Sequence, residues 1–390
     1  MKKFVILIFG SVLVISTAFG QSTAVSNNVK WQTKQDKIDD IKFSPNGKYI
    51  FLDKGGKNGG IDVLDAFSGR TITHLAVCDF FFYFSTTLDG NLLATHCDKQ
   101  GGKTSEIWDV PNARLLRTIS HGSAGIFRNT QISPDGRRLL TESMSDRVDR
   151  PEAKYFMARG FSFYLWDGTN GKKMKMLAPK SFEPTESSTA AVFSPDSKLV
   201  ITTYGGRVSV WDADTGSLLH DLIDPIVGYK YTSQIYAHGS DVLRFGFTHD
   251  GTKLITVGYR DGLLKIWDIS SGVLEHTLRG HRERILNLDI SPDGKMIGSV
   301  DRDNVIKIWD LQSGILVRSI ESKKAVDVRF TSDSKYVFGI SSGLSIMFDV
   351  SSGMEVSLVD HGWIYVSPDR KWILTYQRKE RMLQLSPSPY

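Results

Sequence analysis

Beyond the first two dozen residues, apolar and polar positions alternate in short runs, as in Ile285-Leu286-Asn287-Leu288-Asp289-Ile290 and Val305-Ile306-Lys307-Ile308-Trp309. A period of two over five or six residues predicts β-strands with one buried face. No stretch carries the long 3.6-residue apolar period of a helix, so the chain reads as all-β. Two kinds of turn separate the runs. The first is Ser44-Pro45-Asn46-Gly47, which returns with variation from Thr87, Ser133, Ser194, Thr248, Ser291, Thr331 and Ser367. Proline presets φ, Asp or Asn bonds its own backbone, and Gly takes the left-handed position that closes a hairpin. The second follows an apolar strand that ends in Trp108-Asp109, Trp166-Asp167, Trp211-Asp212, Trp267-Asp268 or Trp309-Asp310, with Leu64-Asp65 and Phe348-Asp349 as weaker copies. Six of these seven Asp residues open D-x-x-[STN]-G, a short hairpin loop; Asp109 alone lacks the glycine.

The two signals alternate strictly, so each period is four strands joined as an antiparallel meander. Successive strand-ending Asp residues lie 39 to 58 residues apart, around the period of about 40–45 expected of a propeller blade. A single such unit cannot bury a core, so the 390-residue chain reads as one repeat domain spanning 25–388 rather than the two or three domains its length alone suggests.

The segment from Gly280-His281 to Trp309-Asp310 resembles a full WD repeat in length and spacing. The resemblance extends with losses over roughly 25–386 and implies a β-propeller. It also implies a hydrogen-bonded network inside each blade, here His281, Ser299, Asp303 and Trp309, and in the preceding repeat His238, Thr256, Asp261 and Trp267. The seventh repeat has no matching His, and His361 in the eighth stands too close to its turn. These motifs specify a fold and leave function open.

There are eight first hairpins but seven strand-plus-Asp signals. The chain ends in a short alternating run, Met382-Leu383-Gln384-Leu385, and begins with a strand-like segment without a hairpin, Asn28-Val29-Lys30-Trp31-Gln32-Thr33. Placing that segment on the last blade completes eight blades and hides the edges an open array exposes. The alternative is seven blades with a terminal hairpin packed outside.

The N-terminus has a different pattern. Lys2 and Lys3 precede an uncharged, mostly apolar run over 4–19, followed by the small residues Gly20, Ser22 and Ala24. This is the layout of a secretory signal peptide over 1–20, cleaved after Gly20 or Ala24. The run is short of the ~20 residues of a spanning helix, so no membrane span is expected once it is removed. The short basic start is of the bacterial type, which predicts a periplasmic or secreted protein. Export makes Cys78 and Cys97, the chain's only cysteines, a candidate disulfide. Simple register puts Cys97 opposite Phe80, two residues from Cys78, a long diagonal that a bulge would close; two buried thiols are the alternative.

The net charge of +5 falls further without Lys2 and Lys3, which leaves 46 bases against 43 acids. So mild a balance excludes a nucleic-acid footprint. No nucleophile elbow, zinc-ligand spacing or phosphate-binding loop is present, so neither catalysis, cofactor nor metal is expected. What remains is binding through loops. The two longest insertions fall between the second and third strands of the third blade and between the fourth and fifth blades. In the family resembled, both positions open on one face of the propeller. They carry Arg147, Arg150, Tyr155 and Phe156, and Tyr229, Tyr231 and Tyr236. Aromatics with Arg are the residues that anchor protein interfaces. The expected function is a monomeric, non-catalytic scaffold for a protein or peptide. The alternatives are tyrosines that only pack their own loops, a propeller that binds a small molecule or glycan, and an enzyme.

Overall fold

The computed structural model describes residues 29–388, except 36–37, 56–58, 78–80, 100–101, 122–125, 146–159, 178–188, 229–236, 342–343, 361–362 and 378–379. The signal-like segment and all seven candidate interface residues therefore lie outside the described residues.

The strands form eight four-stranded antiparallel sheets, the blades of a β-propeller. Blades 1 to 7 are consecutive meanders over 40–75, 81–120, 126–177, 189–222, 242–278, 285–321 and 327–360. Blade 8 takes three strands from 363–387 and its outer strand from Trp31–Lys34, which pairs Trp31 with Leu385 and Lys34 with Met382. Eight blades, not seven, thus account for the terminal segments. The one described helix is a single turn, Pro225–Gly228.

By its contacts the chain falls into two compact units, 38–279 with blades 1 to 5, and 1–37 with 280–390 holding blades 6 to 8. In each, the core lies between blades rather than within them. In the first unit, Phe163, Leu165 and Leu177 of blade 3 pack on Phe193, Val200, Tyr204 and Trp211 of blade 4. In the second, Val300, Ile306 and Ile308 of blade 6 meet Val328, Phe330 and Val337 of blade 7. The Trp of the Trp-Asp signal is buried at such a seam, and Trp267 is wholly inaccessible.

The turns behave as their chemistry predicts. In all eight first hairpins the Ser or Thr hydroxyl donates to the Asp or Asn side chain two residues on, at 2.5–2.7 Å. The next residue has positive φ, and in three blades it is not glycine: Ser197 (65°), Ser334 (61°) and Arg370 (57°). Each of these side chains reaches a neighbouring blade. Ser197 Oγ accepts from the Asp135 amide at 3.0 Å, and Ser334 Oγ from the Asp293 amide at 3.2 Å. Arg370 does more, as described below.

The second kind of turn has one exception, at Asp109. Ala113 occupies the place of the missing glycine with φ 49°. A left-handed residue with a Cβ is strained by about 1–2 kcal/mol. Replacing Ala113 with Gly is therefore expected to stabilise the protein by about 1 kcal/mol, less the added freedom of the unfolded chain. An unchanged or lower urea midpoint for A113G counts against this account of the turn.

Cys97 is buried and disulfide-bonded; Cys78 lies outside the described residues. The first hairpin of blade 2 pairs Cys97 with Phe81, not Phe80: the turn sets Thr86 opposite Leu93, which would bring Cys97 to Phe82, and a bulge between Phe81 and Phe84 moves the partner back by one.

Candidate functional site

Two blades carry a polar relay at their seams. In blade 5, Trp267 Nε1 donates to Thr256 Oγ1 at 2.8 Å, Thr256 Oγ1 lies 2.8 Å from His238 Nε2, and His238 Nδ1 lies 2.9 Å from Asp261 Oδ2. These are the four residues the family resemblance implies. In blade 6, Trp309 Nε1 donates to Ser299 Oγ at 2.9 Å, and Ser299 Oγ is 2.7 Å from His281 Nε2. The carboxylate on His281 Nδ1, however, is Asp301 at 2.7 Å, not Asp303. The cause is the shape of the turn. Asp301 ends its strand, and its other oxygen accepts the amides of Asp303 and Val305, while Asn304 at φ 63° closes the loop. Asp303 is an exposed turn position. The position implied by the family resemblance was Asp303; here the turn of blade 6 is tight enough that Asp301, at the strand end, meets the histidine instead.

Ser299, His281 and Asp301 have the geometry of a nucleophile, base and orienting acid. They do not work as one. Ser299 is fully buried, and its oxygen already accepts the Trp309 indole N–H. Burial holds both histidines below the usual imidazole range despite their aspartates. Each is then neutral, with N–H toward the carboxylate and Nε2 accepting the hydroxyl proton. The relay is a satisfied chain of donors and acceptors joining two strands to the loop that enters the blade.

A variant of this arrangement occurs in blade 2, where His121 Nε2 lies 2.7 Å from Ser105 Oγ, which lies 2.7 Å from Thr130 Oγ1 of blade 3. The His121 ring stands edge-on to Trp166 of blade 3, with centroids 5.0 Å apart. Burial, then the neighbouring His96 and Lys173, pushes its pKa down to about 4.

Sequence reasoning missed two charge clusters. Lys265 is completely buried; its Nζ donates to Asp224 Oδ2 at 2.6 Å and to the Ala237 carbonyl at 2.5 Å. Burial lowers its pKa and Asp224 opposes that shift. One ammonium thus ties together both ends of the insertion between blades 4 and 5. A second tie holds the far end, where the amides of Ala237 and His238 donate to the Gly206 carbonyl. In blade 3 the second and third strands remain paired out to Ser145 opposite Gly160, so the other insertion starts from a closed ladder.

The second cluster joins blades 6 to 8. Arg370 donates to Asp289 Oδ2 and Oδ1 at 2.6 and 3.1 Å, and to the carbonyls of Phe330 and Ile290 at 2.8 and 3.1 Å. Asp289 Oδ2 also accepts the Phe330 amide. Asn287 Nδ2 donates to Asp327, whose carboxyl burial pushes above its usual range, while Arg329 sits 3.4 Å from it. The sequence did hold a signal for Arg370, since it stands where five of the other turns have glycine.

Among the described residues no group of three or more His, Cys, Asp or Glu is placed to hold a metal ion. None of their helices is long and apolar enough to cross a membrane.

Three stretches of the chain, 180–212, 229–268 and 272–310, match the family described as WD domain, G-beta repeat. Among curated proteins, the human WD repeat and SOCS box-containing protein 1 is 32% identical over 110 residues, 28% of this chain and 23% of that protein. The fruit-fly (Drosophila melanogaster) Protein LST8 homolog is 32% identical over 120 residues, 30% of this chain and 33% of that one. The Dictyostelium discoideum serine-threonine kinase receptor-associated protein is 26% identical over 226 residues, 50% of this chain and 69% of that one. The match spans under a quarter of the length of the first of these relatives. Among solved structures, the computationally designed Ika8 protein superposes with TM-score 0.62 at 16% identity, over 90% of this chain and 96% of that one. That likeness concerns the fold alone.

Proposed function

We propose that this chain is an exported, non-catalytic WD-repeat scaffold that binds a protein or peptide partner through two loop insertions. The observation that carries the reading is that the residues flanking each insertion are tied together. Lys265 holds Asp224 and Ala237, which flank in sequence the segment with Tyr229, Tyr231 and Tyr236. Ser145 pairs with Gly160, and these flank in sequence the segment with Arg147, Arg150, Tyr155 and Phe156. Binding residues on loops fixed by a rigid scaffold are a common arrangement. Proteins built from WD repeats generally act as interaction scaffolds, and the repeats here are of that kind. The Lys2-Lys3 start and apolar run support export.

The test is partner capture from an envelope extract with the wild type and with a variant carrying alanine at Tyr155, Phe156, Tyr229 and Tyr231. Truncating hot-spot aromatics costs about 2 kcal/mol or more each, so capture should be abolished at unchanged melting temperature. Capture that survives all four changes removes the insertions from consideration. N-terminal sequencing of the protein recovered from the periplasm or medium tests export; an intact Met1 in the cytoplasmic fraction overturns it.

A further inference from the structure

The first hairpin turns of blades 1 to 3 line an open pocket of about 430 Å³, at the end of blade 3 opposite the Ser145–Gly160 pair. Leu88, Leu92 and Pro134 supply its apolar lining, and Asp89, Asp135 and Asn46 its polar lining. The walls are fixed. Asn46 Nδ2 donates to the Asp89 carbonyl at 2.7 Å, and the Leu88 amide to the Pro134 carbonyl at 2.8 Å, so the three turns are linked in series.

Leu88 departs from its relatives. Five of the eight first turns have Pro at this position, and Leu88 is a large apolar side chain left 57% exposed. A single exposed Leu is ordinary on a surface; this one lines a pocket together with two aspartates. Thr87 Oγ1 and the Asn91 amide and side chain hold the Asp89 carboxylate, and these hydrogen bonds keep it ionised below the usual range. The Ser133 hydroxyl and the Arg137 amide donate to Asp135 Oδ1 at 2.6 and 3.0 Å. No base is among the residues that line the pocket. Arg137 Nε is 3.8 Å from Asp135, beyond hydrogen-bond reach, on a side chain 75% exposed.

We infer that this pocket binds an arginine side chain of a peptide or protein partner, with its aliphatic stem on Leu88, Leu92 and Pro134 and its guanidinium at Asp89 and Asp135. Arginine fits better than lysine because a planar fork with five donors can bond more than one carboxylate, and its stem packs on apolar surface. The inference rests on the reading of the chain as a binding scaffold but concerns different residues.

The probe is a blocked peptide, acetyl-Gly-Gly-Arg-Gly-Gly-amide, titrated into the full chain while the methyl resonances of Leu88 and Leu92 are followed by NMR. Saturable shifts are expected, and replacing arginine by citrulline should weaken binding about tenfold, the loss of one charge-assisted contact. Asp89→Asn with Asp135→Asn should weaken it by at least as much. That pair should fold, since Asn46 already fills the equivalent turn position. Leu88→Ser, at an exposed site, is a second variant that should also weaken binding. Methyl shifts absent at about 10 mM peptide, or equal binding of the citrulline peptide, overturn the inference. Either failure leaves the capture test untouched, because that test uses other residues.

Discussion

Replacing Arg370 with Ala is expected to lower stability by about 3–5 kcal/mol, the usual loss when one partner of a buried ion pair is removed. Asp289, with only 9% of its side chain exposed to water, would lose its closest cation and keep only Arg329 at 3.7 Å, and the carbonyls of Phe330 and Ile290 would lose a donor. The backbone makes the experiment more discriminating. Arg370 holds φ 57°, so Arg370→Gly relieves strain of about 1 kcal/mol and should be milder than Arg370→Ala. Arg370→Lys keeps the charge but cannot present a bidentate fork together with two further donors, and should fall between wild type and Gly. The measurement is urea unfolding of all three variants. An alanine variant within about 1 kcal/mol of wild type would show that the pair's desolvation cancels its attraction.

Acidification is expected to destabilise the fold from about pH 6.5 downward, well before the carboxylates of the turns titrate. His121, His238 and His281 all have folded pKa values below the ordinary 6.5, His121 at about 4. Between those values the unfolded chain binds more protons than the folded one, so stability falls as pH falls. For His121 the full effect is about 3 kcal/mol at 1.36 kcal/mol per unit, complete only near pH 4. Asp53 works in the opposite direction. Burial, with Asp39 and Asp40 nearby, raises it to about 6, so its protonation favours the folded state between pH 6 and 3.8. Asp167, Asp212 and Asp268 have lowered values, and their contribution is lost only below pH 3.8. Asp40 and Asp327 are likewise raised by burial and oppose the decline as Asp53 does, so the share of His121 is read as the difference between the wild type and a His121 variant. Urea midpoints from pH 7.5 to 4.5 should decline, and His121→Gln should flatten the decline. Parallel curves for the two proteins would remove His121 from the account.

The repeat was legible because two turn chemistries recur at fixed intervals, and turn chemistry is local. The strand count, the eight blades and the placement of Trp31–Lys34 on the last one all followed from that. The relay of blade 5 was legible only through the family resemblance. Asp301 was not, since which of two aspartates meets His281 depends on where one tight turn bends. Asp224–Lys265 and Asp289–Arg370 were not legible either. Each joins residues about 40 and 80 positions apart, and no local pattern marks such pairs. The insertions that carry the candidate interface are long stretches without strand alternation, so their residue types suggest contact but no arrangement.

The three turns with Ser197, Ser334 or Arg370 in place of glycine have a consequence for how the repeats are ordered. A glycine at that position has no side chain with which to distinguish one neighbour from another. A blade whose turn reaches a defined atom of a specific neighbour is keyed to that neighbour. Ser197 recognises the turn of the third blade, Ser334 that of the sixth, and Arg370 a carboxylate two blades back. An array rebuilt from averaged repeats, with glycine at every turn, would relax its backbone and at the same time erase these labels, leaving shuffled or swapped blades less strongly disfavoured.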